Sequence, residues 1–557
     1  MAPCYALGLT LLILAPLLRP GYLLLRDAVS TPRSYLTDTA LGLGESAPRA
    51  VPQDYAVALA SRLIDGGIVV KLLLLAGVWL AGYGAARLVA TLLPTAGLPG
   101  QLVAITVAIW NPYVAERLLQ GHWSLLVGYG CLPWVAVAML RLRAGDAGLF
   151  GLVFFLALAG LTPTGLLLAL VVALVCLAVP GDGPPLWWCA VSTAAIAATA
   201  ALPWLMALAV GSGSSRGESA GVSAFSARAE PGLGTLGSLA GLGGIWNADA
   251  VPGSRTTLFA LVATVVFLAV VGLGWSTVRD EPAVRPLLIL AGTTVLVLTI
   301  LSLGPALAVL SWAVDAIPGL GVLRDSQKWV ALAMPGYALA GAGAVAAVRD
   351  RLPPARAACV CCGALIIVLP DLIWGVGGKV SSVRYPPGWA AVATKINADP
   401  RPVAVLPADA MRRFSWTGDQ PVLDPLPRWV RAEVLTTGDL AVGGRTVPGE
   451  GSHARAVQQA LLSATEPVTL GVNGVGWVVK ESGTEGEMGS AERTLVRLPV
   501  SYRDPDLTLY RVGGRAPKAS AGARRAALAA HLVWLAMLVV GAGGLAAPAV
   551  RRLIDRR

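Results

Sequence analysis

Residues 4–27 read CYALGLTLLILAPLLRPGYLLLRD, an apolar run from Tyr5 to Leu25 that stops on Arg26-Asp27. About 20 apolar residues are what an α-helix needs to cross a hydrocarbon core of about 30 Å. The run has no basic n-region and no convincing Ala-x-Ala cleavage site, so it reads as a retained first span.

Runs of this kind recur along the chain. Spans are expected at 4–25, 68–92, 100–115, 124–142, 149–162, 165–179, 186–210, 257–276, 286–303, 327–348, 357–377 and 526–549. Apolar residues make up 55% of the 557 and charged residues 13%, against about 25% charged in soluble domains, so water cannot be the solvent for most of this surface. The expected fold class is an α-helical polytopic membrane protein of about 12 transmembrane helices with a small extracytoplasmic α/β domain. Residues 1–378 form the transmembrane core, with outer loops at 26–67, 111–123, 211–256 and 304–326. Residues 379–520 form the soluble domain, and 521–557 the last span with a basic tail.

Basic residues in short loops stay in the cytoplasm. With a cytoplasmic N-terminus the inner loops carry Arg141 and Arg143, then Arg279 and Arg285, then Arg349, Arg351 and Arg356. The tail Arg551, Arg552, Arg556 and Arg557 falls on the same side, so both termini are expected in the cytoplasm of a multi-pass plasma-membrane protein. The uncertain stretch is 149–179, where Thr162-Pro163-Thr164-Gly165 makes either two short spans or one kinked span. The basic segments downstream favour two.

The net charge of +11 comes from these clusters, which sets nucleic acid aside. The seven cysteines all lie in or beside apolar stretches, with no disulfide framework and no zinc spacing. Within 379–520 a β-like run at 402–406, a helical pattern at 454–462 and further β-like runs at 474–480 and 507–512 indicate an α/β domain. The apolar spacing of 305–315 suits a helix lying in the membrane interface.

Four outer-face segments could carry chemistry. Asp27, beside Arg26 and upstream of Asp38, sits where a lipid-linked head group would lie, and a carboxylate there can act as general base; a plain flanking charge is the alternative. The segment Asn111 to Trp123 holds Glu116 and the rare His122, which could carry a proton, hydrogen-bond a sugar, or be a satisfied interfacial histidine. Arg324, Asp325 and Lys328 open a span from the outside, where cations are disfavoured unless functional or snorkelling. Arg324 and Lys328 are therefore the strongest phosphate-binding candidates. The loop from Ser223 to Asp249 offers aromatic, amide and carboxylate groups suited to sugar. No P-loop, nucleophile elbow, His-Glu-x-x-His or dinucleotide fingerprint occurs.

This layout resembles the polytopic glycosyltransferases of the C superfamily, and the multi-span arabinofuranosyl- and mannosyltransferases of the actinobacterial cell envelope. The likeness rests on an acid in the first outer loop, about a dozen spans, interfacial helices and a late soluble domain. An Ala- and Arg-rich, Lys-poor composition agrees. The resemblance implies transfer of a sugar from a polyprenyl-phosphate donor to a cell-envelope glycan or glycolipid acceptor at the bilayer surface, with Asp27 as catalytic base and Asp38 in reserve. The family often pairs two acids here, where this chain has Arg26-Asp27. Arg324 and Lys328 would stabilise the departing phosphate. Arg26, Asn111, Glu116, His122 and Asp325 would contact sugar or acceptor. No protein ligand set calls for a metal, although Mg²⁺ could assist. The rival reading is a transporter of lipid-linked intermediates or an assembly scaffold, which predicts charges deep within spans or repeated halves; neither is evident.

Overall fold

The computed structural model describes residues 1–557 apart from 46–47, 211–219, 318, 443–444, 517 and 555–557, so part of the 211–256 loop and the tail Arg556 and Arg557 lie outside the described residues. Among the described residues, seven helices are long and apolar enough to cross a membrane, and nine if each of two bent pairs counts as one. The chain is thus a membrane protein. The other three expected spans fall on shorter apolar helices, Ala2–Leu18, Leu149–Ala159 and Pro163–Cys176.

Local sequence explains where the key helices begin. Asp65 caps Gly66–Leu92, its carboxylate accepting from the Gly67 and Ile68 amides at 2.8 and 3.3 Å. Asn111 caps Pro112–Gln120 by accepting from Val114, with Pro112 at the first helical position where no amide hydrogen is needed. Thr162 caps Pro163–Cys176 by accepting from Gly165.

The stretch 149–179 is a helical hairpin. Gly128, near the start of helix Trp123–Arg143, packs against Gly165 at the hairpin's turn. At the other end of that helix Arg143 donates to the carbonyls of Val179 and Pro184 at 3.3 and 3.0 Å. The chain therefore runs out along Trp123–Arg143 and back. The two arms have 11 and 14 helical residues, about 17 and 21 Å at 1.5 Å per residue, and neither alone matches a full bilayer core.

The first expected span needs a correction. Its helix ends at Leu18, and after Pro20-Gly21 the chain becomes a strand, Tyr22–Leu25. That strand pairs antiparallel with Ala28–Val29 and with Ser382–Val383, giving a three-stranded sheet with Tyr22–Leu25 in the centre. Leu25 and Ala28 are register partners, so Arg26 and Asp27 form the two-residue turn of a hairpin.

Beyond residue 386 the chain folds around a five-stranded mixed sheet. Its order is Val500–Arg503, Leu507–Arg511, Trp477–Glu481, Val403–Leu406, Val434–Leu435, with the last three parallel. Leu24 and Val29 of the first hairpin are buried in the same apolar cluster as Trp389, Phe414, Trp429 and Val479 of this domain. The turn carrying Asp27 is thus held between the helical core and the mixed-sheet domain. Helix Gly304–Ala316, expected to lie in the interface, is bent 90° from Arg285–Leu301 and exposes Val309 and Trp312.

Candidate active site

A cavity of about 1550 Å³ lies where the first hairpin, the helical core and the mixed-sheet domain meet. Asp27, His122, Arg324, Asp325 and Lys328 all line it, and so do Phe225, Trp246 and Asn247 from the long loop.

Asp27 is aimed by its neighbours. Gly121 ends helix Pro112–Gln120 at φ +82°, and a Cβ there would lie 2.3 Å from the Leu25 carbonyl and 2.4 Å from the Ala28 amide. Only glycine lets the hairpin approach this closely. The Asp27 amide donates to the Gln120 carbonyl at 3.2 Å. Its Oδ2 accepts from His122 Nε2 at 2.9 Å and from Gln120 Nε2 at 3.1 Å. Gln120 Oε1 in turn accepts from Asn247 Nδ2 at 2.8 Å, which fixes the orientation of the amide. Both donors reach the same carboxylate oxygen. The side chain remains 37% exposed, on the cavity wall.

Arg117 sets the histidine. Its guanidinium lies 3.1 Å from His122 Nδ1 and can only donate, so Nδ1 accepts and the ring proton sits on Nε2, facing Asp27. Burial, then the positive charge of Lys328, lowers the His122 pKa, so the ring is neutral. Burial raises the Asp27 carboxyl, but the hydrogen bonds and charges of His122, Gln120 and Lys328 outweigh it and hold the group below its ordinary value. The pair is a carboxylate beside a neutral imidazole.

The same Arg117 donates to Asp325 at 2.9 and 3.2 Å and to Gln327, and Gln327 donates to Glu116 at 3.0 Å. Glu116 also accepts the amides of Gly244 and Ile245 at 3.1 and 3.2 Å. Burial alone would raise Asp325, but Arg117 and Lys328 hold it well below the usual carboxylate range. Lys328 lies 3.5 Å from Asp325 with its side chain 25% exposed. The Arg324 guanidinium sits 4.6 Å above the Phe225 ring.

Four expected substrate contacts or acids are placed differently. Asn111 is buried, donating to the Val107 and Ala108 carbonyls as it caps its helix. Glu116 is also fully buried, filled by the amides and Gln327. Arg26 lines the cavity, but its guanidinium is engaged as a strut: at φ +48° and 2% exposed, it donates to the carbonyls of Leu119 and Asp249 at 2.6 Å each and to Gln420. Positive φ at the first position of a two-residue turn normally calls for glycine, and these bonds over-determine the strained turn. Asp38 accepts from Ala519 at 3.1 Å and pairs with Arg524 at 3.2 Å, tying down the start of the last helix away from Asp27. Within the long loop, Glu230 is a buried partner of Arg255, 2.9 Å from its Nε, and does not reach the cavity.

Sequence reasoning gave no role to Arg117, Gln120 or Gln327, and placed Asn247 in the loop suited to sugar. The only signal was that Arg117 and Gln120 flank His122 in a segment dense with polar groups. Among the described residues no three His, Cys, Asp or Glu side chains converge as a metal site.

No family model and no curated protein matches the chain. Two single-particle cryo-EM structures of the arabinofuranosyltransferase AftD from Mycobacteria are similar in fold. The first has TM-score 0.58 at 16% identity, covering 93% of this chain and 40% of that one. The second, of a variant, has TM-score 0.52 at 15% identity, covering 92% and 41%. This chain therefore spans about two fifths of the length of the solved chains it matches. It shares their fold.

Proposed function

We propose that the protein transfers a sugar from a polyprenyl-phosphate donor to a cell-envelope glycan or glycolipid acceptor, at the extracytoplasmic face of the membrane. The observation that carries this reading is the meeting of one ionised, pre-aimed carboxylate, Asp27, with Arg324 and Lys328 around a single cavity bordered by membrane helices. A transporter or scaffold has no need of such convergence.

Asp27 takes the proton of the acceptor hydroxyl on its free Oδ1. The acceptor oxygen bonds to the anomeric carbon, while the bond from that carbon to the phosphate oxygen breaks and its electron pair leaves with the lipid phosphate. Arg324 and Lys328 offset the charge developing there, and a base so placed contributes about 10²–10⁴-fold. Neutral His122 keeps Asp27 ionised and oriented. The helical hairpin at 149–179 preserves the parity that puts the inner-loop arginines opposite this cavity, which supports cytoplasmic termini and an extracytoplasmic site.

The test is transfer of radiolabelled sugar from polyprenyl-phosphate arabinose and polyprenyl-phosphate mannose by purified protein in lipid, wild type against Asp27→Ala. Transfer by the wild type that is lost in a folded variant is the expected result. No transfer from either donor overturns the reading, and equal activity in both proteins removes Asp27 from it.

A further inference from the structure

A second chamber, of about 240 Å³, lies beside the large cavity, between the first outer loop and the mixed-sheet domain. The two share Gln53, Trp123 and Arg428 in their walls. Arg428 donates to Asp54 Oδ1 at 3.3 Å, which makes an ion pair at their junction. Gln53 accepts from Ser124, the second residue of the helix that begins just after His122, so the chamber is built onto the support of the candidate base.

Its other walls carry uncommitted neutral polar groups. The hydroxyls of Tyr35 and Thr436 and the amide of Gln458 line the chamber, and none makes a side-chain hydrogen bond to another described residue. Tyr35 is nevertheless fixed in place, with the guanidinium groups of Arg33 and Arg431 at 5.2 and 5.0 Å from its ring centre. Hydroxyl and amide groups that both donate and accept match the hydroxyls of a sugar, each of which does the same. An apolar ligand would strip these groups of water without replacing its hydrogen bonds, and the two cations of the wall that could draw an anion are already paired, Arg428 with Asp54 and Arg412 with Glu481. A neutral polyhydroxylated ring satisfies both conditions.

We propose that this chamber is a subsite for a sugar unit of the acceptor glycan, one or more residues away from the hydroxyl that receives the transferred sugar. The proposal rests on the transferase reading of the adjoining cavity. It makes the protein an enzyme that selects an oligosaccharide acceptor over a single sugar.

The test is calorimetric binding of linear arabinofuranosyl and mannosyl tetrasaccharides, and of the matching methyl monosaccharides, to the 557-residue chain in detergent, comparing wild type, Tyr35→Phe and Gln458→Ala. Melting temperature serves as the folding control, and Tyr35→Phe keeps the ring while removing only the hydroxyl. The expected result is a tetrasaccharide Kd raised at least about fivefold in each variant, with transfer to the monosaccharide acceptor unchanged. Equal affinity in all three proteins, or no tetrasaccharide binding at all, overturns the subsite. Transfer measured in the same preparations separates the two ideas. Wild-type transfer without dependence on these side chains leaves the transferase standing alone, while variant-sensitive binding without any transfer leaves a glycan site and removes the transferase.

Discussion

Arg117 lies 3.1 Å from Nδ1 of His122, and because a guanidinium can only donate, it places the imidazole proton on Nε2, 2.9 Å from Asp27. The candidate base is therefore Asp27, and His122 is the group that holds it.

Asp27 must be ionised to accept a proton, so transfer should fade as pH falls through its lowered pKa and stay level above it. Replacing His122 with Ala removes a donor that favours the charged form. The acidic limb of the kcat/KM profile should then move to higher pH, with activity down by about tenfold or more. An unmoved limb would dissociate His122 from the base.

Gly121→Ala places a methyl carbon against both strands of the Asp27 hairpin. A misplacement of about 1 Å at a reacting group costs about a hundredfold, and that is the loss expected, together with a lower melting temperature. Gly234 has φ +62° but open space around its Cα, so Gly234→Ala pays the backbone strain alone and should leave transfer near the wild-type level. Similar activity in the two variants would reject the hairpin's role.

Arg324→Ala and Lys328→Ala each remove one charge from the phosphate side of the cavity. Each should reduce kcat/KM by about ten- to a hundredfold, the worth of one charge-assisted hydrogen bond of about 1.5–3 kcal/mol. Lys328→Arg should recover part of the loss, whereas Lys328→Met should not. Steady-state kinetics with either lipid donor checks this.

In the mixed-sheet domain Glu481 is buried against Arg412 and Asp424. Burial, then the charge of Asp424, pushes its carboxyl up to about 8 in spite of Arg412. The folded protein then holds a proton that the unfolded chain releases near about pH 4.3, so stability should fall as pH rises from there to about 8 and level off above. Melting curves between pH 5 and 8.5 should slope downward for the wild type and less for Glu481→Gln. Equal slopes would assign the proton elsewhere.

The apolar runs, and with them the membrane class, were legible residue by residue, because hydrophobic length is a local property that any bilayer-crossing helix must show. Capping signals such as Asn111-Pro112 and Thr162-Pro163 were equally local. So was the position of Asp27 at the end of the first apolar run, although that run proved to be a short helix followed by a strand, since Pro20-Gly21 breaks the helix and Tyr22–Leu25 finds strand partners at 28–29 and 382–383. Only the tertiary structure decided which polar groups reach the cavity. Arg117 meets Asp325 across 208 residues, and Arg26 meets Gln420 across 394. Nothing in the sequence near Glu116 or Arg26 distinguishes a buried strut from a substrate contact. A buried charge must be met by partners, and those partners are supplied by whichever distant segments the packing brings within hydrogen-bond reach.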